Sequence, residues 1–154
     1  MPIISLIYIF QAMALYAALK HVNESYALIA LVLGLMGASF FMLSRPLLES
    51  DAVRVQYLAA GETLPAVFDG TAWALSQVLI NLAGVIFAVL KLRSTVFTRA
   101  TGIIGLTTSL VGFGILIPVT AFAGLFGLGA TIGSIAWDIL MAQTFYRLGW
   151  QSGS

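Results

Sequence analysis

The sequence TIGSIAWDILMAQTFYR, residues 131–147, places a single acid among side chains that belong in hydrocarbon. That acid is Asp138, and the three residues on each side of it are all apolar. A helix that crosses a membrane needs about 20 mostly apolar residues, and Arg147 and Trp150 mark the end of this run. Because a charged side chain is costly at the bilayer centre, Asp138 indicates either a polar contact between helices or a functional site.

The composition of the whole chain agrees with a membrane protein. Of the 154 residues, 60% are hydrophobic and 8% are charged, whereas about a quarter of the residues in a soluble domain are charged. Apolar runs of similar length precede the last one at residues 3–19, 26–43, 71–90 and 102–119. The sequence therefore predicts an all-α polytopic membrane bundle with five transmembrane helices in one domain, residues 1–150. Residues 151–154 resemble an appended expression tail.

Two of the connections between these runs have a distinct composition. Residues 49–70 form the long polar connection, and its segment 52–58 has the spacing of a short helix that lies in the membrane interface. Residues 121–130 are rich in glycine and carry no charge, which predicts a link that stays in or near the membrane and leaves open whether it is partly re-entrant.

The basic residues predict the orientation of the bundle. Five of them fall on one side and two on the other, and the side with more positive charge favours the cytoplasm. The N-terminus is therefore expected outside the cytoplasm and the C-terminus inside. The first group is Lys20, Lys91, Arg93, Arg99 and Arg147, and the second is Arg45 and Arg54.

Several kinds of chemistry are disfavoured by the sequence. The chain has no cysteine, which removes thiolate nucleophiles and sulfur ligands for metals, and its net charge of +1 does not indicate nucleic-acid binding. Ser39 and Ser134 lack the Gly-x-Ser-x-Gly elbow of a hydrolase and a histidine at their depth. We expect no cofactor and no metal site, and the sequence favours a non-enzymatic protein without deciding the point.

Two stretches resemble a bacterial polytopic family catalogued as domain of unknown function 4386. The first is ALYAALKHVN at residues 14–23, followed by ALIA at 27–30, and the second is LKLRSTVFTR at 90–99, followed by Gly102 and Gly105. The family often has a proline where Thr98 stands, and it usually has one more hydrophobic segment before the first one here. The resemblance implies a multi-pass protein of the bacterial inner membrane, and it implies no activity.

Helical rise converts sequence position into depth, and it places four polar side chains in one layer at mid-membrane. These are Gln11, Asn81, Thr108 and Asp138, and Gln77 lies one turn from Asn81 on the same face. Because polar groups are costly in lipid, we expect them to converge inside the bundle, where Asp138 hydrogen-bonds Asn81 or Gln77. No basic residue is expected at this depth, since Lys91, Arg93 and Arg99 close the third run.

Three interpretations of this layer stay open. The groups could hold the helices together without any further role. They could form a site that binds or passes a small molecule, a lipid or a proton, with ligand contacts from Asp138, Asn81, Gln77, Gln11 and Thr108. The alternative to a site is an assembly protein, which would form a homo-oligomer through Gly129-x-x-x-Gly133 or use Gly34-x-x-x-Ala38. Trp73, Trp137 and Trp150 are expected to face lipid or the interface.

Overall fold

A computed structural model of the chain describes residues 2–43, 56, 59–60, 70–116 and 120–151. Within these ranges the regular structure is entirely helical, which confirms the predicted all-α class. The helices are α1 (Pro2–Leu19), α2 (Glu24–Leu43), α3 (Gly70–Arg93), α4 (Arg99–Phe113) and α5 (Thr120–Gln151), and a short 3-10 turn (Gly114–Leu116) extends α4.

Four of these helices contain a segment that is long and apolar enough to cross a membrane. The segments are Glu24–Leu43, Ala72–Arg93, Arg99–Leu116 and Leu125–Arg147. Helix α1 has 18 residues, which corresponds to about 27 Å at the helical rise, and its segment Leu6–Leu19 is a shorter apolar helix. These lengths and compositions indicate a membrane protein.

Side-chain caps explain where two of the helices begin. The Asn23 Oδ1 atom accepts a hydrogen bond of 3.1 Å from the Tyr26 backbone N–H at the start of α2. At the start of α4, the Thr98 hydroxyl oxygen accepts from the Thr101 backbone N–H. Such caps satisfy backbone donors that the first helical turn leaves free. The tight α1–α2 and α3–α4 connections therefore have a local cause in the sequence.

Each helix packs mainly against its neighbours in the chain, so the bundle runs α1, α2, α3, α4, α5. Helices α2 and α3 approach each other closely at Gly37, where a Cβ atom would lie 3.0 Å from the backbone nitrogen of Ile80. The apolar core lies toward the end of the bundle that holds the α1–α2 and α3–α4 connections, and it includes Leu15, Leu19, Ala27, Leu90 and Phe97.

The prediction that residues 121–130 form a link before the last helix is wrong. Helix α5 begins at Thr120 and continues through this segment without interruption. No proline lies in α5 to break it, and non-helical backbone in a membrane leaves polar groups unsatisfied at a cost of several kcal/mol each. That cost exceeds the helix penalty of about 1 kcal/mol for each glycine. The predicted interfacial helix at 52–58 lies outside the described residues, apart from Gln56.

Candidate functional site

A cavity of about 210 Å³ lies inside the bundle, and residues from all five helices line it. The described part of its wall includes all five residues that the sequence predicts for a site, namely Gln11, Gln77, Asn81, Thr108 and Asp138. Small residues leave the space open, because Gly34, Gly84 and Gly112 face it from three neighbouring helices. The five side chains that were predicted to share one depth thus lie around one cavity, and their role in binding stays a prediction.

Asp138 hydrogen-bonds Gln11 across the place where α1 and α5 meet, which we call the seam. The Gln11 Nε2 atom donates to the Asp138 Oδ1 atom over 2.7 Å. The backbones of α1 and α5 barely approach each other within the described residues, and Asp138 is exposed at the seam while it also lines the cavity. The expected bond from Asp138 to Asn81 or Gln77 is therefore wrong, because the aspartate stands at the edge of the cavity beside α1.

Asn81 of α3 also lines the cavity, and its side chain has an unpaired donor within the described structure. Only 9% of the residue is exposed, and its Nδ2 atom is buried without a hydrogen-bond partner among the described residues. Its amide lies against Gly112 of α4, where a Cβ atom would collide with it. A buried donor without an acceptor costs about 1–3 kcal/mol. Among the described residues, the amide therefore keeps an unsatisfied donor, which packs against α4 beside the cavity.

Trp137 contributes a second unpaired donor to the cavity wall. Its Nε1 atom is buried and has no partner within the described part of the chain. The indole packs on Gly105 of α4, where a Cβ atom would lie 2.7 Å from Nε1. The expectation that Trp137 faces lipid or the interface is wrong, because the missing side chain at Gly105 lets the ring turn into the bundle.

Lys91 is a buried basic residue, although the sequence analysis places it at the end of the third apolar run. The residue has 0% exposure, and its Nζ atom lies 2.9 Å from the Met141 Sδ atom. It also lies 3.8 Å from the centroid of the Trp137 ring and 5.3 Å from that of Phe97. Aromatic faces attract cations by about 0.5–2 kcal/mol each, which partly offsets desolvation.

Lys91 also lies nearer to Asp138 than the sequence analysis expects. Its Nζ atom contacts Met141, which lies about one helical turn from Asp138 on α5. One sequence signal was present: Trp137 and Met141 are four residues apart and share a helix face, which offers a cation an aromatic ring and a sulfur together.

The small-residue motifs are occupied by contacts within the chain. A Cβ atom at Gly34 would lie 3.4 Å from the Ala12 Cβ atom of α1, and Ala38 is fully buried. On α5, Gly129 and Gly133 face α4, where added Cβ atoms would meet Val111 and Thr108. A second copy of the chain would have to displace α4 to use this α5 face.

Other predicted side chains have structural roles in the described part of the chain. Trp73 is buried, with 6% exposure, so it packs inside the protein, and its position at the membrane interface stays a prediction. The hydroxyls of Ser39 and Ser134 donate to backbone carbonyls of their own helices, each over 2.8 Å. No group of three potential metal-ligating side chains lies together among the described residues. The side chain of Trp150 lies outside the described residues.

Taken together, the cavity combines a largely apolar wall with the Gln11–Asp138 acid–amide pair and the side chains of Gln77, Asn81 and Thr108. Ligand sites in proteins have this form, with a mostly apolar lining and a few polar groups that fix orientation. In comparisons with protein-family models, curated proteins and solved structures, no match to this chain is found.

Proposed function

We propose that this chain is an integral membrane protein that binds a small molecule in the cavity at the centre of its helical bundle, and that it does so without catalysing a reaction. The observation that carries the proposal is that Asp138, Asn81 and Gln77 line one cavity that is large enough for a ligand. An apolar cavity of about 150 Å³ can hold benzene, and this one measures about 210 Å³.

The interpretation that these side chains only hold the helices together explains less of the geometry. Polar groups that serve packing alone satisfy one another between helices, as Gln11 and Asp138 do. The Asn81 and Trp137 donors have no such partners in the described structure. Assembly through Gly129 and Gly133 also has less support, because these residues already pack against α4.

The setting of this function is part of the proposal. We infer a multi-pass protein of the cell membrane, with its N-terminus outside and its C-terminus in the cytoplasm, from the distribution of basic residues. A bacterial inner membrane and membership of domain family 4386 are proposed from the resemblance of residues 14–30 and 90–105 alone. The bilayer would supply hydrophobic ligands through the seam, where Asp138 is exposed.

The proposal is tested with bromobenzene, which quenches tryptophan fluorescence on contact. In a Trp73→Phe, Trp150→Phe variant, Trp137 is the one tryptophan left and reports occupancy of the cavity. We expect saturable quenching, and we expect Ala130→Leu to weaken it at least fivefold because Ala130 lines the cavity. Ala142→Leu, at an exposed position of the same helix, is the matched control. Quenching that rises linearly in all three proteins would show partition into lipid instead of binding.

A further inference from the structure

The seam between α1 and α5 is the least closely packed side of the bundle. Consecutive helices pack closely against each other, whereas α1 and α5 barely approach each other within the described residues. The hydrogen bond of 2.7 Å between Gln11 and Asp138 crosses this side, and both residues line the cavity. Asp138 is also exposed on the outside of the bundle. This pair of side chains therefore separates the cavity from the outside of the bundle at this depth.

The cavity is closed at the end of the bundle that holds the α1–α2 and α3–α4 connections. Leu15 and Phe87 line the cavity and also belong to the apolar core. About one turn further toward this end, the core continues with Leu19, Leu90 and Met141, and each of them is at most 3% exposed. Closely packed side chains leave few voids larger than a water molecule. A solute that left the cavity by this end would therefore have to displace the core.

The outer surface of the seam is apolar around the hydrogen-bonded pair. Phe10 and Ile139 are the sequence neighbours of the two bonded residues, and Ile135 lies one turn from Asp138; all three are exposed. Apolar side chains favour hydrocarbon over water. In the membrane setting proposed above, acyl chains cover this surface, so an apolar solute dissolved in the bilayer reaches the seam without passing through water.

We propose that the Gln11–Asp138 hydrogen bond is the latch of a lateral entrance between α1 and α5, through which an apolar solute dissolved in the bilayer reaches the cavity. This inference rests on the proposed function, because it names the route to the same cavity and the bond that controls this route. Single hydrogen bonds between membrane helices contribute little to their association. The entrance therefore opens when this bond breaks, while the contacts between consecutive helices stay in place.

A reversible bridge across the seam tests the route. Gln11→Cys and Asp138→Cys are introduced into the variant in which Trp137 is the sole tryptophan, and the chain has no other cysteine. The protein in nanodiscs is loaded with bromobenzene, and a methylene-linked bis-methanethiosulfonate then joins the two thiols. Excess lipid vesicles remove the free bromobenzene, and the recovery of Trp137 fluorescence reports its release. Because bridged helices cannot part, we expect the half-time of release to lengthen at least tenfold and to return when the bridge is reduced.

A second cysteine pair is the matched control. A Cβ atom at Gly129 would lie 3.4 Å from the Val111 Cγ1 atom, so Val111→Cys and Gly129→Cys are close enough for the same reagent. This bridge joins α4 to α5, and neither of its two residues lines the cavity, so the half-time should change less than twofold. Equal half-times with the seam bridged and reduced would overturn the lateral entrance, although saturable binding would still support the proposed function.

Gln11→Met tests the latch without cysteine. It keeps the approximate length of the side chain and removes the donor to Asp138. A latch controls entry and release alike, so we expect both rates of bromobenzene exchange, measured by stopped-flow fluorescence, to rise about fivefold while the Kd stays within twofold. Unchanged rates would overturn the latch. If bromobenzene does not quench Trp137 saturably in the parent variant, the proposed function fails, and this inference fails with it.

Discussion

At the scale of single residues, the sequence predicts which side chains lie at the same height in the bundle better than it predicts the direction in which each side chain points. Position along a helix places Gln11, Asn81 and Asp138 at one height, and all three line the cavity. Rotation about the helix axis is decided by the neighbouring helix, which the sequence of one helix does not contain. The sequence therefore predicts Lys91 at the end of its span and Trp137 facing lipid or the interface, whereas both pack inside, against Met141 of α5 and Gly105 of α4 respectively.

Replacing Lys91 tests whether its buried amine stabilises the fold. Lys91→Met keeps the length of the side chain and its packing against Trp137, and it removes a buried polar group whose desolvation is costly. Replacing buried ionic groups by apolar ones of similar volume is often neutral or stabilising by about 1–4 kcal/mol. We therefore expect the variant to unfold in detergent at the temperature of the parent protein or above it, and a clear fall in this temperature would contradict the prediction. Lys20→Met, at an exposed helix end, is the control and should leave the unfolding temperature unchanged.

The Gln11–Asp138 bond can be measured as a coupling energy. Hydrogen bonds between membrane helices contribute about 0.6 kcal/mol on average and up to about 1.7 kcal/mol. A double-mutant cycle with Gln11→Ala and Asp138→Ala, followed by unfolding in mixed detergent micelles, should give a coupling in this range. Strictly additive effects of the two substitutions would mean that this bond does not hold the seam.

At the scale of the helices, composition predicts where the apolar runs lie. It does not predict that residues 121–130, before the last run, are helical. The glycines of residues 121–130 looked like a break, because glycine disfavours helix in water. In a membrane the unsatisfied backbone costs more than the glycines do, so α5 continues from Thr120 to Gln151. A prediction that weighs glycine by its aqueous propensity will therefore misplace such helix starts.

Two glycine substitutions separate the effect of close helix packing from the effect of helix propensity. A Cβ atom at Gly37 would press on the backbone of Ile80, which cannot move aside, whereas a Cβ atom at Gly127 would meet nothing within 4 Å. We expect Gly37→Ala to destabilise the protein by about 1–3 kcal/mol. Gly127→Ala should be neutral or stabilising by up to about 1 kcal/mol if this segment is helical. Thermal unfolding of both variants in the same detergent decides it, and a destabilising Gly127→Ala would argue against a continuous α5.

At the scale of the whole molecule, the orientation of the bundle is open to a direct test. The chain has no cysteine, so single-cysteine variants report accessibility without background. We expect Ser94→Cys, in the α3–α4 connection, to be protected from a membrane-impermeant maleimide in intact cells and labelled after lysis. Ser50→Cys, in the connection predicted to lie outside, should be labelled in both. The reverse pattern would invert the proposed topology.

The order in which the helices pack has a consequence for how the protein is made. Each helix packs against the one synthesised just before it, so the bundle can assemble stepwise during synthesis. The Gln11 amide, inserted with the first helix, meets the Asp138 carboxylate only when the last helix arrives. Until then the Gln11 amide lacks this partner in the membrane. An unpaired polar side chain of this kind is a feature by which membrane quality control can distinguish unfinished chains from completed ones.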